Sequence, residues 1–317
     1  MGRVWAIASM VCSLALGGCG TLFPQLSPAG LPRTPGERAS NYGYVPLDPL
    51  SVEVTNTPER CAVQGKARVP LLEALPDLSI RFAVADIDSS GGLSFGPSKV
   101  TQTSGTYRAV LDYVNVDVIP VNFLINKVVV DAGGTPLLTS PSDPVGPGES
   151  ISRYNVSYLP TGRDISEAED AANFEVVTVP VYVGVGLRLS ADIRALRGNI
   201  NISGLGVIGA QAEAGALTGT LTVQTLGVNG RSIAMALPLP NKLDQTTIEA
   251  GVLAIGGSRA MLYTAGTEDG QVTATPRIVG LYSPIGSDPR LINAIYSELS
   301  LARPRWEWPC RSPGATS

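Results

Sequence analysis

Between Val179 and Ile193 every odd position is small or apolar: Val179, Val181, Val183, Val185, Leu187, Leu189, Ala191 and Ile193. The even positions hold Pro180, Tyr182, Gly184, Gly186, Arg188, Ser190 and Asp192. A period of two kept up for so long predicts one extended strand, over about 176–195, with an oily face and a wet face. At roughly 3.3 Å per residue the alternating stretch runs about 50 Å, well beyond the usual strand. An apolar face of that length has to be covered, and the segments that follow are suited to cover it.

Downstream, Leu205, Ile208 and Ala212 share one face of a short helix, capped at Ser203 and stopped by Gly215. Leu217, Gly219, Leu221 and Val223 alternate with Thr218, Thr220, Thr222 and Gln224, which predicts a strand. Asn229-Gly230 is a hairpin signal, with Ile233, Met235 and Leu237 as the return strand. Asp244 caps a helix carrying Ile248, Val252 and Ile255 and ending at Gly256-Gly257. Arg259 to Thr264 and Thr273 to Tyr282 read as a second hairpin across Gly266 to Gly270. Asp288-Pro289 opens a last helix with Leu291, Ile292, Ile295 and Leu299 inward. From residue 176 the order is β-α-β-β-α-β, then β-α, that of a split βαβ unit.

Upstream, Leu50 to Thr55 and Leu78 to Ile87 read as strands. Tyr107 to Ile125 carries Val114, Val116 and Val118 on one face and Asn115 and Asp117 on the other, with Pro120 expected to break or bulge it. Asn126 to Val130 reads as a further strand, turning at Asp131 to Gly134. Pro141, Pro144, Gly146, Pro147 and Gly148 mark a surface loop. Ser166-Glu-Ala-Glu169 has the form of a capping box for a short helix to about Asn173. The fold class expected is α+β: a largely antiparallel sheet with a long central strand 176–195 and two or three short helices packed on it. The parts are a β-rich stretch 46–160, an α+β stretch 161–301 and a tail 302–317, with 46–310 forming one structural unit.

Composition adds the setting. The 317 residues are 44% hydrophobic and 16% charged, with a formal net charge of −4, a globular balance without the basic stripe of a nucleic-acid binder. There is no histidine, so Ser-His-Asp and Cys-His catalysis and His-ligated metal sites are excluded for this chain alone. Arg3 is the only charge before residue 19, and Val4 to Leu16 is an apolar run of signal-peptide length. The run ends in Leu16-Gly17-Gly18-Cys19, which resembles the lipobox of bacterial lipoproteins. The resemblance covers the N-terminus only. It implies a signal peptide 1–18, diacylglycerol on the Cys19 thiol, cleavage before Cys19 and N-acylation such as palmitate. Residues 19–45, rich in Pro, Gly and Ser, then form an acylated tether. Gly20 in place of Asp favours the outer membrane, facing the periplasm, with inner membrane and cell surface as the other placements. Apart from the covalent lipid, no cofactor is expected.

Once Cys12 leaves with the signal and Cys19 carries lipid, Cys61 and Cys310 remain as an even pair in an oxidising compartment, which predicts a disulfide. Asp86, Asp88 and Ser90 match the opening of a calcium loop, but Pro97 stands where a bidentate Glu belongs, and a glycine-rich hairpin explains the same residues. Trp306 and Trp308 flank Glu307 beside Cys310, as a partner-binding aromatic pair or as packing for the tail. Asp86, Asp88, Asp112, Asp117, Asp164 and Asp192 are available carboxylates, with no spacing that marks a catalytic pair. Three readings follow. The first is a non-enzymatic, lipid-anchored envelope protein that binds an envelope protein or cell-wall component or supports an assembly. The second is a subunit of a membrane-inserting oligomeric β-pore, with the long strand as its contribution. The third is a carboxylate-dependent hydrolase.

Overall fold

The computed structural model describes residues 43–87, 93–95, 101–102, 105–160, 173–197, 200–202, 204–230, 241–263, 272–283 and 288–312. Outside them lie Cys19 and its lipobox, Asp88, Ser90, Asp164, the capping box at Ser166, the cap at Ser203 and the return strand at Ile233.

The fold is α+β, built on one ten-stranded antiparallel sheet. Its strands are β1 (Tyr44–Ser51), β2 (Asp77–Ile87), β3 (Leu93–Phe95), β4 (Thr106–Val130), β5 (Pro136–Thr139), β6 (Ser150–Leu159), β7 (Glu175–Ala195), β8 (Leu217–Leu226), β9 (Asn241–Lys242) and β10 (Arg277–Tyr282). Among the described residues five helices accompany it: α1 (Pro58–Val63), α2 (Leu71–Ala74), α3 (Leu205–Glu213), α4 (Gln245–Tyr263) and α5 (Pro289–Ala302). Among the described residues none is long and apolar enough to cross a membrane.

β7 is the expected long strand, and β4 is its equal. The two pair without interruption from Glu175–Ile125 to Arg194–Thr106. They form the spine, and shorter strands change places along it. On the outer side of β7, β10 pairs from Val181 to Gly184 and β8 takes over from Gly186. On the outer side of β4, β2 pairs up to Val116 and β6 takes over from Asn122. Pro120 therefore does not break its strand. β4 runs 25 residues through it, because the missing N–H falls at the gap between β2 and β6.

The odd, oily face of β7 is covered as its pattern required. Leu187, Leu189, Ala191 and Ile193 lie in one buried cluster with Leu205 and Ile208 of α3 and Ile248 and Ile255 of α4. A β-carbon on Gly251 of α4 would stand 2.7 Å from Leu189 Cδ1, so helix and strand approach as closely as glycine allows. Val179, Val181, Val183 and Val185 belong to a second cluster with Leu291, Ile292, Ile295 and Leu299 of α5 and with Trp306. Asp288 caps α5 by accepting from the Arg290 amide at 2.9 Å, which fixes the inward face as expected.

Three expectations fail. The even face of β7 is not wet along its length: Tyr182, Gly184, Gly186 and Arg188 are all buried. α4 does not stop at Gly256-Gly257 but continues to Tyr263, so residues 259–263 of the strand expected at Arg259 to Thr264 are helix. Gly256 and Gly257 have open space around them, and helix continues through two glycines that no turn requires. Asn229-Gly230 is not a hairpin turn either. Val228–Gly230 is a short strand, paired antiparallel with Val272–Ala274.

Two stretches far apart in sequence, 53–68 and 305–311, are drawn together. Cys61 of α1 is bonded to Cys310, with a Cα–Cα distance of 5.8 Å across a sequence separation of 249. Beside it, Arg305–Glu307 pairs in parallel with Glu53–Thr55, and Cys310–Arg311 pairs antiparallel with Ala67–Arg68.

Candidate functional site

Tyr44 on β1 connects groups that an extended strand would hold apart. Its ring meets that of Tyr182 edge-on, centroids 5.4 Å apart, and its hydroxyl donates to Asp112 Oδ2 at 2.5 Å. Yet the register partner of Asp112 is Arg188, six positions along β7 from Tyr182. Six extended residues cover about 20 Å, so β7 must bend toward its even face between these two positions. Gly184 and Gly186 lie in that interval. A β-carbon on either would stand 2.2 Å from a carbonyl of β4, that of Asn115 or Tyr113 respectively. The two glycines let the strands close at the bend.

Inside the bend Arg188 is 5% exposed and Asp112 is fully buried. The guanidinium clamps the carboxylate through both arms, Nε to Oδ1 at 2.6 Å and Nη2 to Oδ2 at 2.7 Å. Nη1 also donates to the Leu47 carbonyl at 2.7 Å, and Nη2 to the Val279 carbonyl at 2.9 Å. Burial alone would lower the pKa of Arg188, but the hydrogen bond and charge of Asp112 outweigh it and raise it. Burial, with Asp112 beside it, raises the Tyr44 hydroxyl well above the ordinary tyrosine value. Arg188 therefore stays a cation and Tyr44 a neutral donor.

Two rungs further on, Arg108 of β4 faces Asp192 of β7, Nε to Oδ1 at 2.6 Å and Nη2 to Oδ2 at 3.1 Å. The two pairs are crossed. β4 carries Asp112 and Arg108, and β7 carries the complementary order Arg188 and Asp192. Val110 and Ser190 form the rung between them, and β8 extends these rows with Gln224 opposite Arg188 and Thr222 opposite Ser190. This floor lies under an open cleft of about 330 Å³, walled by Val45 to Asp48 of β1 and by Ile292, Asn293 and Tyr296 of α5. The side chains of Gln224, Asn293 and Tyr296 have no hydrogen-bond partner among the described residues, and those of Ser190 and Thr222 have none either.

Of the carboxylates singled out from sequence, Asp192 lines this cleft, with Asp112 fully buried against Arg188. Asp117 does not; it accepts from the Trp306 indole at 2.9 Å. Asp86 lies in β2, paired with Tyr107 and Ser94. Ile87 pairs with Leu93, and Asp88 and Ser90 of the stretch read as a calcium loop lie outside the described residues. Among the described residues no group of His, Cys, Asp or Glu gathers as a metal site. Trp306 is 1% exposed and packs in the core, whereas Trp308 donates to the Val69 carbonyl at 2.9 Å under the Arg68 guanidinium. The pair packs the tail onto the fold beside Cys61–Cys310, with Trp306 buried and Trp308 half-buried.

Sequence reasoning missed Arg188, Arg108 and the cleft. The signal was present in the even positions of two strands, Arg108 with Asp112 and Arg188 with Asp192, whose complementary order shows only once the register is known. Comparison with protein-family models, curated proteins and solved structures finds no match to this chain.

Proposed function

We propose that the chain is a lipid-anchored protein of the bacterial cell envelope whose mature domain works by binding at the cleft between β1, α5 and the β4–β7 floor. One observation carries the reading. The charged groups on the floor are clamped to each other in crossed pairs, which makes a fixed recognition surface. A general acid needs a carboxylate free to take and release a proton, and a carboxylate nucleophile needs an oxygen free to attack. Asp112 and Asp192 are each held by two guanidinium hydrogen bonds.

The lipid anchor rests on Leu16 to Cys19, and the outer membrane facing the periplasm is the placement that Gly20 favours. The Cys61–Cys310 bond supports export, since such bonds persist in oxidising compartments. The pore reading loses its motive, because between Val181 and Leu189 both faces of β7 are buried within this fold and neither is left for lipid.

The test has two readouts from cells expressing the full precursor. Labelled palmitate should enter the wild-type protein, fractionating with membranes, and should not enter Cys19→Ala. A photocrosslinker placed at position 293 in the cleft wall should trap an envelope component, and one placed at Val63, an exposed residue away from the cleft, should not. Acylation that survives Cys19→Ala defeats the anchor. Equal trapping from both positions defeats the cleft.

A further inference from the structure

We infer that the cleft takes a neutral saccharide; this deepens the binding reading and rests on it. The argument starts from charge. Arg188 is satisfied by Asp112 and two backbone carbonyls, and Arg108 is paired with Asp192. The lining thus interleaves cation and anion on neighbouring rungs. Any ionic group placed there lies near a group of its own sign as well as the opposite one. An anion further meets Asp48, an exposed carboxylate of the β1 wall with no hydrogen-bond partner among the described residues, whose field reaches both arginines. A cation meets Arg108, which stays charged.

Hydroxyl groups meet no such conflict. Each both donates and accepts, and this lining offers donors and acceptors side by side. Arg108 donates, Asp192 and Asp48 accept, and the amides of Gln224 and Asn293 do both. Both amides stand without an intramolecular partner among the described residues. The two walls add apolar surface, from Val45, Leu47 and Ile292 to the ring of Tyr296, and a sugar ring presents C–H bonds of matching character on its faces. The volume of about 330 Å³ falls at the small end of ligand sites. A compact ligand with polar edges and apolar faces fits this division.

The same chemistry is found in a free oligosaccharide and in the headgroup of a neutral glycolipid, and the experiment separates them. The acylated full-length mature chain, in detergent, is applied to a glycan array carrying neutral, uronic-acid and amine-bearing oligosaccharides. In parallel it is incubated with phosphatidylcholine vesicles with and without a dihexosyl diacylglycerol. Retention on neutral glycans is expected, by the array for a free oligosaccharide and, for a membrane headgroup, by more retention on the doped vesicles than the lipid anchor alone gives on the undoped ones. Gln224→Ala and Asn293→Ala should each weaken retention about tenfold, the loss of one hydrogen bond, with an unchanged melting temperature. The proposal is overturned if only acidic or amine-bearing glycans bind, if nothing binds, or if neither substitution alters retention. A protein trapped from position 293 without any glycan retention sinks the saccharide and leaves the binding reading standing. Neither trapping nor retention removes both.

Discussion

Pro120 and Pro180 stand directly opposite each other in the β4–β7 ladder, toward its Glu175–Ile125 end. Neither can donate to a neighbour, and neither is asked to. The outer side of Pro120 faces the gap between β2 and β6, and Pro180 lies one residue before β10 begins to pair. Two long strands thus cross the sheet with their missing donors at the seams where their partners change.

The seam makes proline cheap there and nowhere nearby. Pro120→Val should change stability by no more than about 1 kcal/mol. Val110→Pro, at a rung paired with Ala83 on one side and Ser190 on the other, should cost about 3 kcal/mol or more. Urea unfolding of the two variants checks the contrast, and equal losses would remove the seam argument.

Breaking the buried pair from one side leaves a charge without its counterpart. Arg188→Met is expected to cost about 3–5 kcal/mol, and Asp112→Leu added to it should recover most of the loss. Tyr44→Phe should cost about 1–3 kcal/mol, since Asp112 keeps its two bonds from Arg188 and loses one. A double-mutant cycle measured by denaturant midpoint gives the coupling. A double variant no better than the single would contradict the pairing.

The bend at Gly184 and Gly186 predicts opposite signs for one chemical change. Gly184→Ala sets a β-carbon 2.2 Å from the Asn115 carbonyl, backbone that cannot swing aside, and should destabilise by about 1–3 kcal/mol or more. Gly206→Ala in α3, exposed with nothing within 4 Å, should stabilise by up to about 1 kcal/mol. Thermal melts of the two variants decide it; a shift of the same sign in both would count against the close approach.

Alkaline loss of stability follows from two tyrosines. Burial, and then Asp288, push Tyr154 from 10.0 up to about 12, and burial with Asp112 pushes Tyr44 higher than its ordinary value as well. A group whose folded pKa is raised binds its proton more tightly when folded. Its contribution is complete below the unfolded value of 10.0 and is lost as pH climbs through about 12 for Tyr154. The urea midpoint should therefore hold up to pH 10 and fall above it, less steeply in Tyr154→Phe. A midpoint flat to pH 12 would refute the assignment.

Reduction should matter more than any single surface change. In the chain-entropy account a loop closed across 249 positions gives on the order of 5 kcal/mol, and Cys61→Ala with Cys310→Ala should lose a large part of that. The wild-type melting temperature should fall with reductant and that of the double variant should not; equal melting with and without reductant would count against the bond.

The long strand, its roof of helices and the cysteine pair were legible from local pattern, because burial on one face writes a period of two and capping residues mark helix ends. What stayed hidden has a common cause. The even face of β7 holds Tyr182, Arg188 and Asp192, a polar set that reads as solvent-facing until β1 and α5 are laid over it. Asn229-Gly230 and Gly256-Gly257 misled because tertiary pairing and helix continuation overrode local turn preference. Asp112 and Asp192 were visible as carboxylates, but only the strand register assigns each its arginine.

The ring that touches Tyr182 and Asp112 belongs to the opening residue of β1, and residues 44–60 lie before Cys61, outside the covalent loop. A mechanical load entering from the N-terminal side therefore reaches this strand before it reaches the bridged body. Tension there pulls on Tyr44 and on the Leu47 carbonyl that receives Arg188, so one wall of the cleft sits in the line of force while the rest is shielded by the sulfur bridge.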